Sequence, residues 1–284
     1  MMLIALGAIW GASFMFIKVA VRELEPITLV WLRIVLATAV LVPVAFAVVG
    51  RRAIAETRAA AGPLAVMAIL NSAVPFTLLA WAETRIDSGL AAILQAAAPL
   101  FTALISLRFA DERVAGSRLA GVVLGFLGVA LLLGAPGGGD PAAAVAVVAT
   151  AACYSAAGVF AERSLRDTHP FVVGAGSMAI AAVVVAPFGV ATLPGHVPGW
   201  KETVSVLLLG TICTGVAYML FFAVLRGAGA SRSILVTYLV PAAAVLYGAT
   251  LLGEDVRPTA AAGLVLILGG VALGARRRRV ASPA

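Results

Sequence analysis

The chain carries uncharged runs long enough to cross a lipid bilayer, and these restrict its fold more than any other feature. Residues 119–139, 203–225 and 233–253 contain no Asp, Glu, Lys or Arg, and a helix needs about 20 apolar residues to span the hydrocarbon core. Inside that core every backbone N–H and C=O must find a partner within the protein, so only helices and closed barrels qualify. Barrel strands alternate apolar and polar residues, and these runs do not. With 62% hydrophobic and 12% charged residues among 284, little is left to build a soluble domain. The expected fold is an all-α membrane protein.

Gly, Pro and charge clusters divide the chain into ten apolar segments, approximately 2–21, 27–49, 62–82, 88–109, 115–135, 141–161, 170–193, 203–225, 231–252 and 258–275. The first has no basic residue ahead of it, unlike a secretory signal peptide, and is expected to stay as a membrane helix. Basic residues set the orientation. Arg51, Arg52, Arg58, Arg108, Arg113, Arg118, Arg163, Arg166, Arg226, Arg232 and Arg276 to Arg279 gather on one side. Only Lys18, Arg22, Arg85, Lys201 and Arg257 fall on the other, with Arg33 inside the second segment. Cytoplasmic loops are enriched in Lys and Arg, so both termini are expected in the cytoplasm and the protein in the inner membrane. The net charge of +7 is thereby explained without a nucleic-acid partner. The Arg276–Arg279 tail can also meet anionic lipid headgroups.

The chain is written twice. Pro99, Glu112, Gly121 and Gly128 recur 142 positions later as Pro241, Glu254, Gly263 and Gly270, and Gly128-Val129-Ala130-Leu131 returns as Gly270-Val271-Ala272-Leu273. At an offset of 144, Trp10 meets Tyr154, Phe16 meets Phe160 and Pro26 meets Pro170. The reading is a first repeat over 1–135, a connecting loop at 136–139, a second repeat over 140–276 and a basic tail at 277–284. Five crossings per copy is an odd number, so the second copy starts from the opposite face and the halves are inverted. Ten transmembrane helices as two inverted five-helix repeats around a central cavity is an architecture of alternating-access transporters. A passive channel or static scaffold is the alternative.

Several segments carry a resemblance. They are Trp10-Gly11-Ala12-Ser13-Phe14 followed by Lys18; Pro26 with Arg33; Ala98-Pro99-Leu100 followed by Asp111-Glu112-Arg113; and Val240-Pro241-Ala242 followed by Gly253-Glu254. As an ordered set across essentially the whole chain they resemble the drug/metabolite transporter superfamily, and within it the ten-helix EamA-domain family. The resemblance implies a central cavity that moves small metabolites, with export of amino acids, including the aromatic-amino-acid exporter type, among the expected activities. Asp111 departs from the pattern, standing where the first repeat usually has the Gly of a Gly-Glu pair.

Polar and aromatic side chains inside the segments are the cavity candidates, because polar groups at lipid depth need partners and face inward: Trp10, Ser13, Phe14, Asn71, Trp81, Gln95, Tyr154, Ser155, Tyr218 and Tyr238. Trp31 and Trp200 suit the interfacial belt. Pro99 and Pro241, matched by the repeat, are hinge candidates that line the cavity, since proline frees a backbone carbonyl. Glu112 and Glu254 read either as gating posts or as carboxylates favoured at the N-terminus of the following helix. Arg33, about 9 Å down its helix, either meets a substrate carboxylate or is structural.

Cys153 and Cys213 read as free thiols filling apolar space, and His169 and His196 as solvated loop residues. No cofactor, metal ligand set or catalytic constellation is expected. A nucleotide-binding Gly-x-x-x-x-Gly-Lys-Ser/Thr motif is missing, which points to secondary or facilitated transport of a small-molecule substrate. Proton coupling has no carboxylate deep in a helix; Glu83 and Glu162, near helix ends, are its candidates. The glycine pairs Gly7/Gly11, Gly121/Gly125 and Gly270/Gly274 let helices approach closely, within a monomer or in a weak homodimer.

Overall fold

Proline opens four of the long helices. Its missing N–H falls where a helix has no partner for it, and Pro26, Pro141, Pro170 and Pro258 each stand first in their helix. The computed structural model describes residues 1–107, 116–134, 140–228 and 236–274. Within these the chain forms α1 (Met2–Ala20), α2 (Pro26–Val49), α3 (Arg52–Ala59) and α4 (Ala61–Ala68, continuing through a π-helical stretch Ile69–Ala73 into Val74–Glu83). Next come α5 (Ser88–Gln95), α6 (Ala98–Leu107), α7 (Gly116–Gly134), α8 (Pro141–Ser164) and α9 (Pro170–Ala191). The chain ends in α10 (Trp200–Gly210, through a π-helical stretch Thr211–Val216 into Ala217–Ala228), α11 (Val236–Tyr247, running into a π-helical stretch Gly248–Leu252) and α12 (Pro258–Gly274). Among the described residues, seven stretches are long and apolar enough to cross a membrane; Leu119–Gly134, Val236–Leu252 and Pro258–Leu273 are shorter apolar helices.

Large apolar side chains lie on the outside as well as the inside. Val183 is 74% exposed and Val265 70%, a surface that water would penalise and acyl chains accept. The buried core is made of small and branched residues, Ala20, Ile34, Ala37, Leu41, Ala143 and Val147 among them, and buried polar groups are tied to carbonyls. Thr150 Oγ1 bonds to Pro75 O at 3.3 Å, Thr28 Oγ1 to Gly189 O at 3.1 Å, and Ser155 Oγ to Ala98 O at 2.6 Å.

The packing partners come in sets. α2 lies against α9 and α7 against α12; α1 packs on α11, as α8 packs on α6 and α5; α1 also meets α10, as α8 meets α4. Each relation is carried into another by exchanging repeat-related helices. α7 and α12 touch backbone to backbone, a Cβ on Gly270 colliding with Gly121 O and with Gly125 N and Cα, so this glycine face is filled within the chain.

Loops on each side are tied together. On the face where α1 begins, the first face, His169 N donates to a Glu56 carboxylate oxygen at 3.1 Å. On the opposite face Gly199 N donates to Glu23 at 2.7 Å, and Arg85 pairs with Asp140 at 3.5 Å.

Several sequence expectations need correction. α3 is a helix that the segmentation passed over. The fourth segment is two helices, broken at Ala96–Ala97 just before Pro99, whereas the repeat-related Pro241 sits inside the unbroken α11. His169 is a helix cap, its Nδ1 accepting from Phe171 N at 3.3 Å, rather than a solvated loop residue. Cys153 and Cys213 are free thiols. Glu112, the linker 136–139 and the tail 277–284 fall outside the described residues.

Candidate functional site

A cavity of about 540 Å³ lies among α1, α2, α4, α5, α8, α9, α10 and α11. Twelve of its twenty lining residues form repeat-related pairs: Trp10 with Tyr154, Phe14 with Gly158, Arg33 with Ser177, Asn71 with Cys213, Phe76 with Tyr218, and Leu79 with Phe221. The first three pairs are 144 positions apart and the last three 142, the offsets at which the sequence repeats. The lining is lopsided along the membrane normal. Met67 on α4, Gly158 and Ala161 on α8, Val173 and Gly174 on α9, and Phe221 and Phe222 on α10 all stand in the halves of their helices nearer the first face. Toward the opposite face it ends at Phe76 and Leu79.

Local backbone irregularity puts polar atoms on this wall. The π-helical stretches of α4 and α10 begin 142 positions apart. Such one-turn bulges gather at functional sites, because they shift side chains out of the regular helical row. Asn71 belongs to the first and donates through Nδ2 to Tyr218 Oη at 2.6 Å; Thr214 belongs to the second and accepts from Arg33 Nε at 2.9 Å. Thr214 Oγ1 in turn donates to Leu209 O at 2.8 Å, five residues back.

Arg33 is buried on the cavity wall, with its guanidinium carbon 3.7 Å from the Phe76 ring centroid. A guanidinium over an aromatic face gains a cation–π attraction, and only one of its N–H groups is engaged by Thr214, leaving the fork to meet an anion. Gln95 Oε1 is buried without a hydrogen-bond partner, and Ser13 Oγ has only the weak thiol of Cys213 beside it. Around these groups the walls are aromatic: Trp10 lies 5.6 Å from Phe221, and Tyr218 lies edge-on to Phe222 at 5.9 Å. One cationic fork, two open acceptors and an aromatic shell can hold a small molecule with a carboxylate, a donor group and an apolar body.

Of the residues singled out from sequence, Trp10, Ser13, Phe14, Asn71, Gln95, Tyr154, Tyr218 and Arg33 line the cavity. Trp81 lies outside the lining, beneath Arg85 with the guanidinium carbon 4.1 Å from its ring centroid. Ser155 is a strut whose hydroxyl reaches across to the broken helix, and Tyr238 is packed against the core. Pro99 and Pro241, expected to line the cavity, are not in its lining. Sequence reasoning passed over Phe76, Leu79, Ser177 and Cys213. The repeat itself held the signal, since each is the partner, 142 or 144 positions away, of another lining residue.

Beyond the cavity floor, helix ends at the opposite face are tied together across the two repeats. Glu254 accepts from Ser88 N at 2.9 Å, Ser88 Oγ at 2.9 Å and Gly89 N at 3.1 Å. It therefore caps α5, in the other repeat, and not the helix that follows it, as the dipole argument from sequence had it. Gly253 makes this possible with φ +72, turning the chain back, and Gly248 leaves the space, since a Cβ there would strike the Glu254 carboxylate. From α1, Lys18 Nζ donates to the carbonyls of Glu83 and Ile86 at 2.8 and 2.7 Å. Among the described residues no group of three His, Cys, Asp or Glu could hold a metal ion.

A family model described as the EamA-like transporter family matches residues 1–134 and again 141–275. A probable amino-acid metabolite efflux pump of Salmonella typhimurium is 27% identical over 96% of the chain and 94% of its own length. A probable terminal-alkyne amino-acid exporter of Streptantibioticus cattleyicolor is 30% identical over 70% and 68%. An uncharacterized transporter of Archaeoglobus fulgidus is 26% identical over 95% of both. A solved crystal structure superimposes with a TM-score of 0.67 at 21% identity, covering 95% of this chain and 94% of the other; at that identity it speaks for the fold.

Proposed function

The chain belongs to the EamA-like transporter family of multi-pass membrane proteins, and from that premise we propose that it is a secondary transporter exporting small amphipathic solutes, amino acids above all, by alternating access. The observation that carries this reading is the cavity lined largely in repeat-related pairs and weighted toward one face. Walls built from equivalent residues of two halves can settle in two arrangements that are near mirror images across the membrane. The exchange of packing partners between repeat-related helices supports ten crossings, with repeats at 1–135 and 140–276 inverted about an axis in the membrane plane.

An amino acid fits the wall chemistry. Arg33 takes the carboxylate, Gln95 Oε1 and Ser13 Oγ accept from the ammonium, and the aromatic shell takes an apolar side chain. The descriptions of the Salmonella and Streptantibioticus relatives, a probable amino-acid metabolite efflux pump and a probable terminal-alkyne amino-acid exporter, lean the same way. The arginine asymmetry favours an orientation with the first face and both termini in the cytoplasm, and in that orientation the cavity reaches toward the side from which an exporter loads.

Counterflow of radiolabelled phenylalanine into liposomes preloaded with unlabelled phenylalanine tests the reading. Saturable uptake is expected. If a panel of amino acids and amphipathic cations all fail to exchange, the proposal falls, and single-channel conductance in its place would support the channel reading.

A further inference from the structure

Helix α4 ends on a carboxyl group that no described residue holds. Glu83 is fully buried, and neither of its carboxyl oxygens has a hydrogen-bond partner among the described residues. It follows Leu79 by four residues, on the same helix face, so it sits one turn past the cavity floor toward the opposite face. Lys18 stands one turn past Phe14 on α1 and its charge acts on the carboxyl, yet two of its three N–H donors go to the main-chain oxygens of Glu83 and Ile86 and none bonds a carboxyl oxygen. The other charges acting on the carboxyl are Arg33 from α2 and Glu254 from beyond α11. Arg33 is engaged by Thr214 and Phe76, and Glu254 by Ser88 and Gly89.

An ionised carboxylate left dry and unpaired is costly. The charge part of that cost, much the larger, is removed if the group carries a proton, and the whole of it if the mouth above opens to water. A packing role needs no carboxyl, since an amide fills the same space. A metal ion does not fit beside the Lys18 ammonium.

We propose that Glu83 is the proton-binding site of the transport cycle. It takes a proton from water while the opposite mouth is open, holds it as the neutral carboxyl while Glu254 and Lys18 keep that mouth shut, and releases it through the cavity to the first face. One proton then moves inward per cycle, the direction that drives solute outward. The cycle rests on the transporter reading above; proton binding and its link to the mouth do not require that any solute move.

The test uses the full-length protein in lipid nanodiscs and no solute, so a failure of the amino-acid reading and a failure of this one are told apart. Infrared spectroscopy should show a protonated-carboxyl C=O band at neutral pH that is missing from E83Q. Mouth opening is read from the reaction of an I86C thiol with a bulky maleimide, in a background carrying C153S and C213S. At alkaline pH the thiol should react about tenfold faster in the Glu83 protein than in E83Q, one pH unit of proton linkage being a factor of ten. An unchanged band in E83Q, or the same pH profile of labelling with and without the carboxyl, overturns the proposal. Should E83Q fail to assemble, absence of the band from the wild type at neutral pH overturns it alone.

Discussion

At the scale of single residues, this molecule places charge where helices are irregular. Arg33 reaches the π-helical Thr214, and Glu254 reaches α5 only because Gly253 adopts φ +72. An alanine at 253 in that left-handed conformation costs about 1 kcal/mol. Gly253→Ala is therefore expected to lower the unfolding midpoint in detergent modestly. Gly248→Ala, whose methyl would strike the carboxylate, is expected to cost as much or more while also displacing the cap. For Arg33 the expected split is chemical. Arg33→Lys keeps the charge but loses the fork and should weaken phenylalanine counterflow through a raised apparent KM. Arg33→Met should abolish it with folding intact, because a methionine leaves no buried charge unpaired. Equal counterflow in Arg33→Met and wild type would show that the guanidinium never meets the solute. Arg33 was legible as an intramembrane charge but its neighbours were not, since Thr214 and Phe76 come to it from helices more than 40 positions away.

Elements were the most legible level, and the bilayer is the reason. A helix that must cover a fixed thickness has its length set in advance, so charge and proline marked the ends of α1, α2, α8, α9 and α12 to within a few residues. Irregularity inside an element is another matter. A π-helical stretch needs one extra residue and no special composition; Pro75 stands beside the stretch in α4, but no proline attends the one in α10. Pro99 and Pro241 show the same limit from the other side, one at a break and one inside a continuous helix. The α7–α12 contact offers a clean measurement at this scale. Gly270→Leu would drive a side chain into the backbone of Gly121 and Gly125, whereas a Cβ at Gly134 has no described atom within 4 Å, which makes Gly134→Leu the control. Overpacking of this kind costs about 1–3 kcal/mol. Thermal unfolding in detergent should separate the two variants by several degrees, and equal stability would mean that the two helices do not pack backbone to backbone.

For the whole molecule, the duplication was legible in sequence, while the tied loops of the opposite face were not, because they rest on contacts between residues more than 60 positions apart. All four helices line the cavity, but α1 packs on α5 whereas the repeat-related α8 and α11 make no comparable packing among the described residues. Alternating access requires these two relations to exchange, so loosening one mouth must tighten the other. Glu254→Ala removes an acceptor for three bonds at the opposite face, each hydrogen bond to a charged group contributing about 1.5–3 kcal/mol. Even a fraction of that difference, about 1.4 kcal/mol, shifts a two-state equilibrium tenfold. Cysteines replacing Ala161 on α8 and Val240 on α11, with Cys153 and Cys213 changed to serine, report on the first face through a short bifunctional cross-linker. Cross-linking should rise several-fold when Glu254→Ala is added, although residue 254 belongs to the far mouth and touches neither cysteine. A channel or a static scaffold has no reason to close one end when the other is untied, so an unchanged cross-linking rate would set the two mouths free of each other and remove the basis for alternating access.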